Sequence, residues 1–174
     1  MNDMKKITFL LMATLVLMAS CGKEKSFDEN LQKAWKSARK TLIHSGEVCD
    51  DIYKTWHTAI YDHETPSGEY CSDFNDALNE KFESLKESGK IDSIYFYKNE
   101  MIDNTSILTP PPSSRKECYD DFLEIVDVVS SISRMATDPS GSFSSYSEEA
   151  KEKVETIAKL VDQFKIKYSA YLKE

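Results

Sequence analysis

Between Phe27 and Ile60 the apolar residues Phe27, Leu31, Trp35, Ala38, Leu42, Cys49, Ile52, Tyr53, Trp56 and Ile60 recur mostly at steps of three and four. That spacing lays one apolar stripe along a helix. It predicts a helix from Phe27 to about Asp62, some ~50 Å long at 1.5 Å per residue. Ser26 and Glu29 have the spacing of a capping box at its start. A stripe of this length exposes its apolar residues to water unless other elements cover it end to end. The rest of the chain is therefore expected to supply helices to pack against it.

Four further stripes meet that need. Phe74, Ala77, Leu78, Phe82 and Leu85 follow Ser72, a candidate cap, and stop before Gly89, where a helix commonly ends. Ile91, Ile94, Tyr95, Met101 and Ile102 keep helical spacing. Ile94-Tyr95-Phe96-Tyr97 has strand propensity, but no second segment is available to pair with it, so it reads as helix. Asn104 to Ser113 contains Pro110-Pro111-Pro112 and is expected to be an extended connector, with Ile107 and Leu108 packing across the bundle. Cys118, Phe122, Ile125, Val129, Ile132 and Ala136 form the next stripe, after a second box at Ser114 and Glu117. Ala150, Val154, Ile157, Val161, Phe164, Tyr168 and Tyr171 form the last, after a box at Ser145 and Glu148. The alternation of fours and threes in these two stripes is that of bundle packing, and the Ser/Gly-rich residues 137–144 make them a hairpin. The fold class is all-α: a single antiparallel helical bundle of four or five helices.

The beginning of the chain carries a different signal. Lys5 and Lys6 precede an apolar run from Ile7 to Ala19 that ends at Ser20-Cys21. The run is too short for a membrane span, which takes about 20 residues, and its small residues before a cleavage point describe a secretory signal. Leu17-Met18-Ala19-Ser20-Cys21 resembles the lipobox of bacterial lipoproteins. The resemblance implies cleavage before Cys21, a diacylglycerol on its thiol, and an acyl group such as palmitate on the new amine. The domains are then a leader over 1–20, a polar tether over 21–26 and a helical domain over 27–174. Membrane attachment would come from the acyl chains on Cys21, since two or more chains anchor stably. Gly22, in place of the aspartate that resembles an inner-membrane retention signal, points to the outer membrane or cell surface, with the body outside the cytoplasm.

Charge supports a body that stands in water. The chain has 22 Lys and Arg against 30 Asp and Glu; without Asp3, Lys5 and Lys6 of the leader, 20 face 29. An acidic surface of this kind argues against nucleic acid as a partner and against lying on anionic lipid. Apart from Cys21, the cysteines are Cys49, Cys71 and Cys118. Export permits one disulfide, for which Cys49 and Cys118 are the preferred pair because both sit on apolar faces; buried free thiols are the other reading.

Chemistry is scarce. None of the 5 glycines lies in a phosphate-cradling loop, and there is no G-x-S-x-G, H-E-x-x-H or C-x-x-C. The chain is not expected to be an enzyme, and no cofactor is implied. His44, Glu47 and Asp51 share one helix face and are the candidate metal ligands, with a solvated polar face as the plainer reading. His57 and His63 read as cap or surface residues. Tyr95, Phe96 and Tyr97, consecutive and beside the proline connector, cannot all point inward and are the candidate contact patch. The function these features suggest is a lipid-anchored envelope or surface lipoprotein that acts as a helical protein-interaction module. A small-ligand or metal-binding lipoprotein is the alternative.

Overall fold

The computed structural model describes the backbone from Asn2 to Leu172 and the side chains of residues 22–172. The helices are α1 (Asn2–Tyr61), α2 (Phe74–Glu87), α3 (Lys90–Ser106), α4 (Lys116–Thr137) and α5 (Phe143–Tyr168), with a 3-10 turn at Ser113–Arg115. No strand occurs among the described residues, only an isolated bridge between Glu64 and Tyr70. The chain is an all-α bundle, and among the described residues no helix is long and apolar enough to cross a membrane.

The bundle runs up, down, up and down. α1 rises, and α2 and α3 descend beside it: Phe74 meets Trp56, Lys90 meets Asp51, and Asn104 meets Ser37. α4 then rises parallel to α1, placing Arg115 by Asp28, Phe122 by Trp35 and Ser133 by Ser45. α5 descends along α4, with Phe164 against Phe122. The descending rod is broken at Gly89, whose φ of 73° is left-handed. This conformation costs an L-residue roughly 1–2 kcal/mol, so glycine belongs there.

Two apolar clusters fill the interior. The lower one gathers Phe27, Leu31 and Trp35 of α1 with Phe122, Ile125, Phe164 and Tyr168. The upper one gathers Val48, Ile52 and Trp56 with Leu78, Leu85, Ile94 and Tyr146. Near the waist between them, Ser37, Thr41, Ser45 and Ser133 are also buried. Their hydroxyls are satisfied locally: Ser37 donates to the Lys33 carbonyl, Thr41 to that of Ser37 and Ser133 to that of Val129. Ser45 and Ser133 also share a 3.0 Å hydrogen bond across the α1–α4 contact. The inward face of α1 is therefore wider than its apolar stripe, because small hydroxyls extend it toward α3.

Several local expectations are corrected. Residues 22–26 are helical, not a loose tether, and no capping box forms at Ser26 because α1 runs through it. Glu24 in that stretch accepts a hydrogen bond from Ser114, which is therefore not a helix cap. The cap of α2 is Asp73, whose carboxylate accepts from the Asn75 amide, not Ser72. α3 extends through Asn104–Ser106, and of the connector pair only Leu108 is buried, while Ile107 is exposed. α5 opens with a box between Ser142 and Ser145, so Ser145 takes the N3 place instead of the cap. On α5 the inward path passes Lys153, which is half-buried, and leaves Val154 exposed. Tyr53, assigned to the α1 stripe, is also exposed.

The Cys49–Cys118 bridge does not form; Cys49, Cys71 and Cys118 are free thiols. Cys49 lies against Ile132, where its thiol donates to the carbonyl. Ile132 is fourteen residues beyond Cys118 on the same helix, about 21 Å away along its axis, far outside bonding range. Burial raises the Cys49 thiol, and it pushes Cys118 up to about 12, so both are protonated and unreactive at neutral pH.

Phe122→Ala is expected to cost about 3–5 kcal/mol in urea unfolding, because Phe122 is fully buried in the lower cluster. Ser45→Ala should cost less than about 1 kcal/mol, because Ser133 keeps its bond to Val129. Peptide mapping after iodoacetamide treatment without reductant should label Cys49, Cys71 and Cys118 in the unfolded chain and leave Cys118 unlabelled in the native one. Loss of label at two of the three after unfolding would reveal a disulfide.

Candidate functional site

The expected patch on α3 is only partly displayed. Tyr95 and Phe96 are exposed. Tyr97 instead turns onto α1, where its ring stacks on His44 at 4.9 Å and 9° and the Lys40 ammonium lies 4.6 Å above it. A ring held on one face by an imidazole and capped by a cation is a packing element of the α1–α3 contact. His44 is thereby engaged by Tyr97. Asp51 accepts from Lys90 at 2.8 Å and lies 3.9 Å from Lys81, so it ties α1 to α2 and α3. Among the described residues no three His, Cys, Asp or Glu side chains converge as metal ligands.

The largest display of aromatic surface is at the top of the bundle. Tyr53, His57 and Tyr61 lie four residues apart on the final turns of α1 and meet in succession as tilted rings, with centroids 6.3 and 4.6 Å apart. Phe143, at the start of α5, touches all three at 5.2, 6.1 and 6.3 Å. Tyr53 and Tyr61 remain 40% and 62% exposed, as a contact surface requires. Beside them Tyr70 is 78% exposed and rests near His63, on a loop held by the Cys71 amide donating to the His63 carbonyl. Beneath lies Trp56, in contact with Phe74, Phe143 and Tyr146. Tyr53, His57, Tyr61 and Tyr70 lay outside the sequence-predicted patch. The available signal was the i, i+4, i+8 spacing of Tyr53, His57 and Tyr61 along the margin of the α1 stripe.

The bottom of the bundle is ionic. Arg115 donates to both oxygens of Asp28 at 2.8 and 3.1 Å, lies 3.8 Å from Glu24, and covers the Tyr171 ring at 4.3 Å. This bidentate clasp joins α1, the start of α4 and the segment after α5. A second clasp has Lys167 donating to Glu117 at 2.6 Å and Asp121 at 2.9 Å, and Tyr168 donating to Asp121 at 2.7 Å. Desolvation raises Asp121, but the bonds from Lys167 and Tyr168 outweigh it and hold the carboxyl below its ordinary value. Desolvation and the bond to Asp121 push the Tyr168 phenol up to about 12. Both clasps lie at the Cys21 end of α1; the side chain of Cys21 itself is outside the described residues, as are those of residues 1–20.

No protein-family model, curated protein or solved structure matches the chain. Function therefore has to be read from its own surfaces.

A carboxyl with a depressed folded pKa adds stability above the range where a free Asp titrates, near ~4. That contribution is lost as pH falls through the folded value. Asp121→Asn is expected to lower the melting temperature at pH 7, and the gap from the parent should shrink as both are acidified below about pH 4. A gap that stays constant across that range would mean that the Asp121 charge does not stabilise the clasp.

Proposed function

We propose that the chain is a lipid-anchored envelope or surface lipoprotein that works as a helical protein-interaction module. In this reading it is held by acyl chains on Cys21, with its body outside the cytoplasm. The observation that carries the reading is the exposed aromatic group of Tyr53, His57, Tyr61 and Phe143 at the far end of the same helix that holds Cys21. Forty residues of continuous helix set Tyr61 about 60 Å from Cys21. Exposed aromatics of this kind contribute much of the energy in protein contacts, at low cost in side-chain entropy. The ionic clasps support the other half of the argument, because they tie both later chain segments to α1 beside the anchor. A tethered rod fixed at one end and aromatic at the other is suited to holding a contact surface clear of the membrane. The exposed pair Tyr95 and Phe96 offers a second, smaller surface at mid-height.

The anchor is tested by the intact mass of membrane-extracted protein, which should equal residues 21–174 plus acyl groups. A mass that retains the leader, or lacks lipid, would remove the lipoprotein reading. The contact surface is tested on whole cells with a photo-cross-linking residue placed at Tyr61 or Tyr70, and at Lys151 on the outer side of α5. The tip positions should yield one discrete protein adduct that Lys151 does not. Equal or absent adducts at all positions would overturn the assignment of the tip.

A further inference from the structure

Where α1 passes α5 in the lower half of the bundle, the surface holds a groove of about 830 Å³ lined by Lys33, Lys36, Arg39 and Lys165. Trp35 and Leu172 line it too, Trp35 nearly buried and stacked on Phe164 at 5.2 Å. Gln32 and Ser169 add neutral polar groups, and Glu29 is the one acid in the lining. Four cations around one groove run against the composition of a chain with 30 acids and 22 bases.

What sets these cations apart is that four of them converge on one groove, since among the described residues Lys98, Lys151 and Lys159, for example, also have no acid within 4.0 Å. Lys81 and Lys90 are engaged by Asp51, Lys116 by Asp120, and Lys167 by Glu117 and Asp121. Among the described residues, Lys33, Lys36, Arg39 and Lys165 have no acid within 4.0 Å, and Lys33 has only a long 3.4 Å contact to Asn30. Lys33, Lys36 and Arg39 follow at i, i+3 and i+6, so successive pairs face each other on α1 and repel. No helix end explains them, since α1 continues to Tyr61; only Lys165 sits in a last turn, at the foot of α5. Four like charges gathered on an apolar floor with a single acid, Glu29, beside them cost the free protein stability, and a bound anion would reverse that cost.

We propose that this groove is a binding site for a polyanion carrying at least two phosphate or sulfate groups. The size fits, because ligand pockets run from roughly 300 to 1,000 Å³. Lys33 and Arg39 are about 9 Å apart along the axis, too far for one oxyanion to engage both. The groove begins well above the anchor: Lys33 is twelve residues from Cys21, about 18 Å along α1. A headgroup layer is about 6 Å deep, so an upright body places the groove beyond it. A soluble or polymeric polyanion is thus favoured over a lipid headgroup. The groove as a polyanion site stands apart from the interaction-module reading, whereas the preference for a soluble ligand rests on the proposed Cys21 anchor.

The test is calorimetry on the full chain in non-ionic detergent, with inositol hexakisphosphate as the probe and inorganic phosphate for comparison. Saturable one-to-one binding of the hexakisphosphate is expected, weakening with salt, and inorganic phosphate should bind far more weakly. Lys36→Gln with Arg39→Gln should weaken binding roughly tenfold or more while melting no lower than the parent. Lys151→Gln with Lys159→Gln removes the same charge from elsewhere on α5 and should leave affinity unchanged. Competition by micelles containing phosphatidylglycerol would identify a headgroup as the source of the phosphates, and its absence a soluble ligand. No saturable binding, or equal loss in both double variants, overturns the proposal.

Discussion

Everything in this bundle depends on α1 being covered on two sides at once. α4 lies against one side through Trp35, Ser45 and Cys49, and α3 lies against the other through Ser37, His44 and Asp51. A helix with a single apolar stripe can bury only one side. α1 widens its stripe with Ala34, Ser37, Thr41 and Ser45, small residues that let a neighbouring backbone come close. The hydroxyls are tolerated because Ser37 and Thr41 return their hydrogen bonds to carbonyls one turn back, leaving no orphan donor there.

From this spine the two ends take opposite characters. At the bottom, Asp28 and Glu24 receive Arg115 while Asp121 receives Lys167 and Tyr168, so directional, charge-assisted bonds fix three chain segments beside Cys21. At the top, aromatic packing replaces ionic bonding, and Tyr61 and Tyr70 present broad ring faces to solvent. Between them, the α1–α5 groove gathers Lys33, Lys36, Arg39 and Lys165. Aromatic surface, cationic groove and the Cys21 end of α1 are spatially separate, so each can be altered without dismantling another.

Helix existence and order were legible because hydrophobic periodicity is a property of each segment alone. The α4 stripe from Cys118 to Ala136 is buried at every position read from it, and Gly89 breaks the descending rod where a left-handed residue was needed. Caps were less legible: Ser114, Ser145 and Ser26 each had the right spacing, yet the helix either started elsewhere or never stopped. A capping pattern states only that a hydroxyl can satisfy a free amide. Where that hydroxyl meets a stronger partner, as Ser114 meets Glu24, the pattern is overridden.

The sequence by itself determined the all-α class, a bundle of four or five helices, the hairpin of the last two and the acidic balance of the chain. Each follows from spacing, turn chemistry or counting, which need no knowledge of neighbours. Tertiary structure alone decided that Ser37, Thr41 and Ser45 are interior and that Tyr97 docks on His44 while Tyr95 and Phe96 stay out. It also decided that Cys49 packs at Ile132, about 21 Å along α4 from Cys118, and that Tyr53, His57, Tyr61 and Phe143 form one surface. The physical reason is common to all of these: whether a small hydroxyl, a thiol or an amphipathic ring is buried depends on which helix arrives opposite it, and at what height.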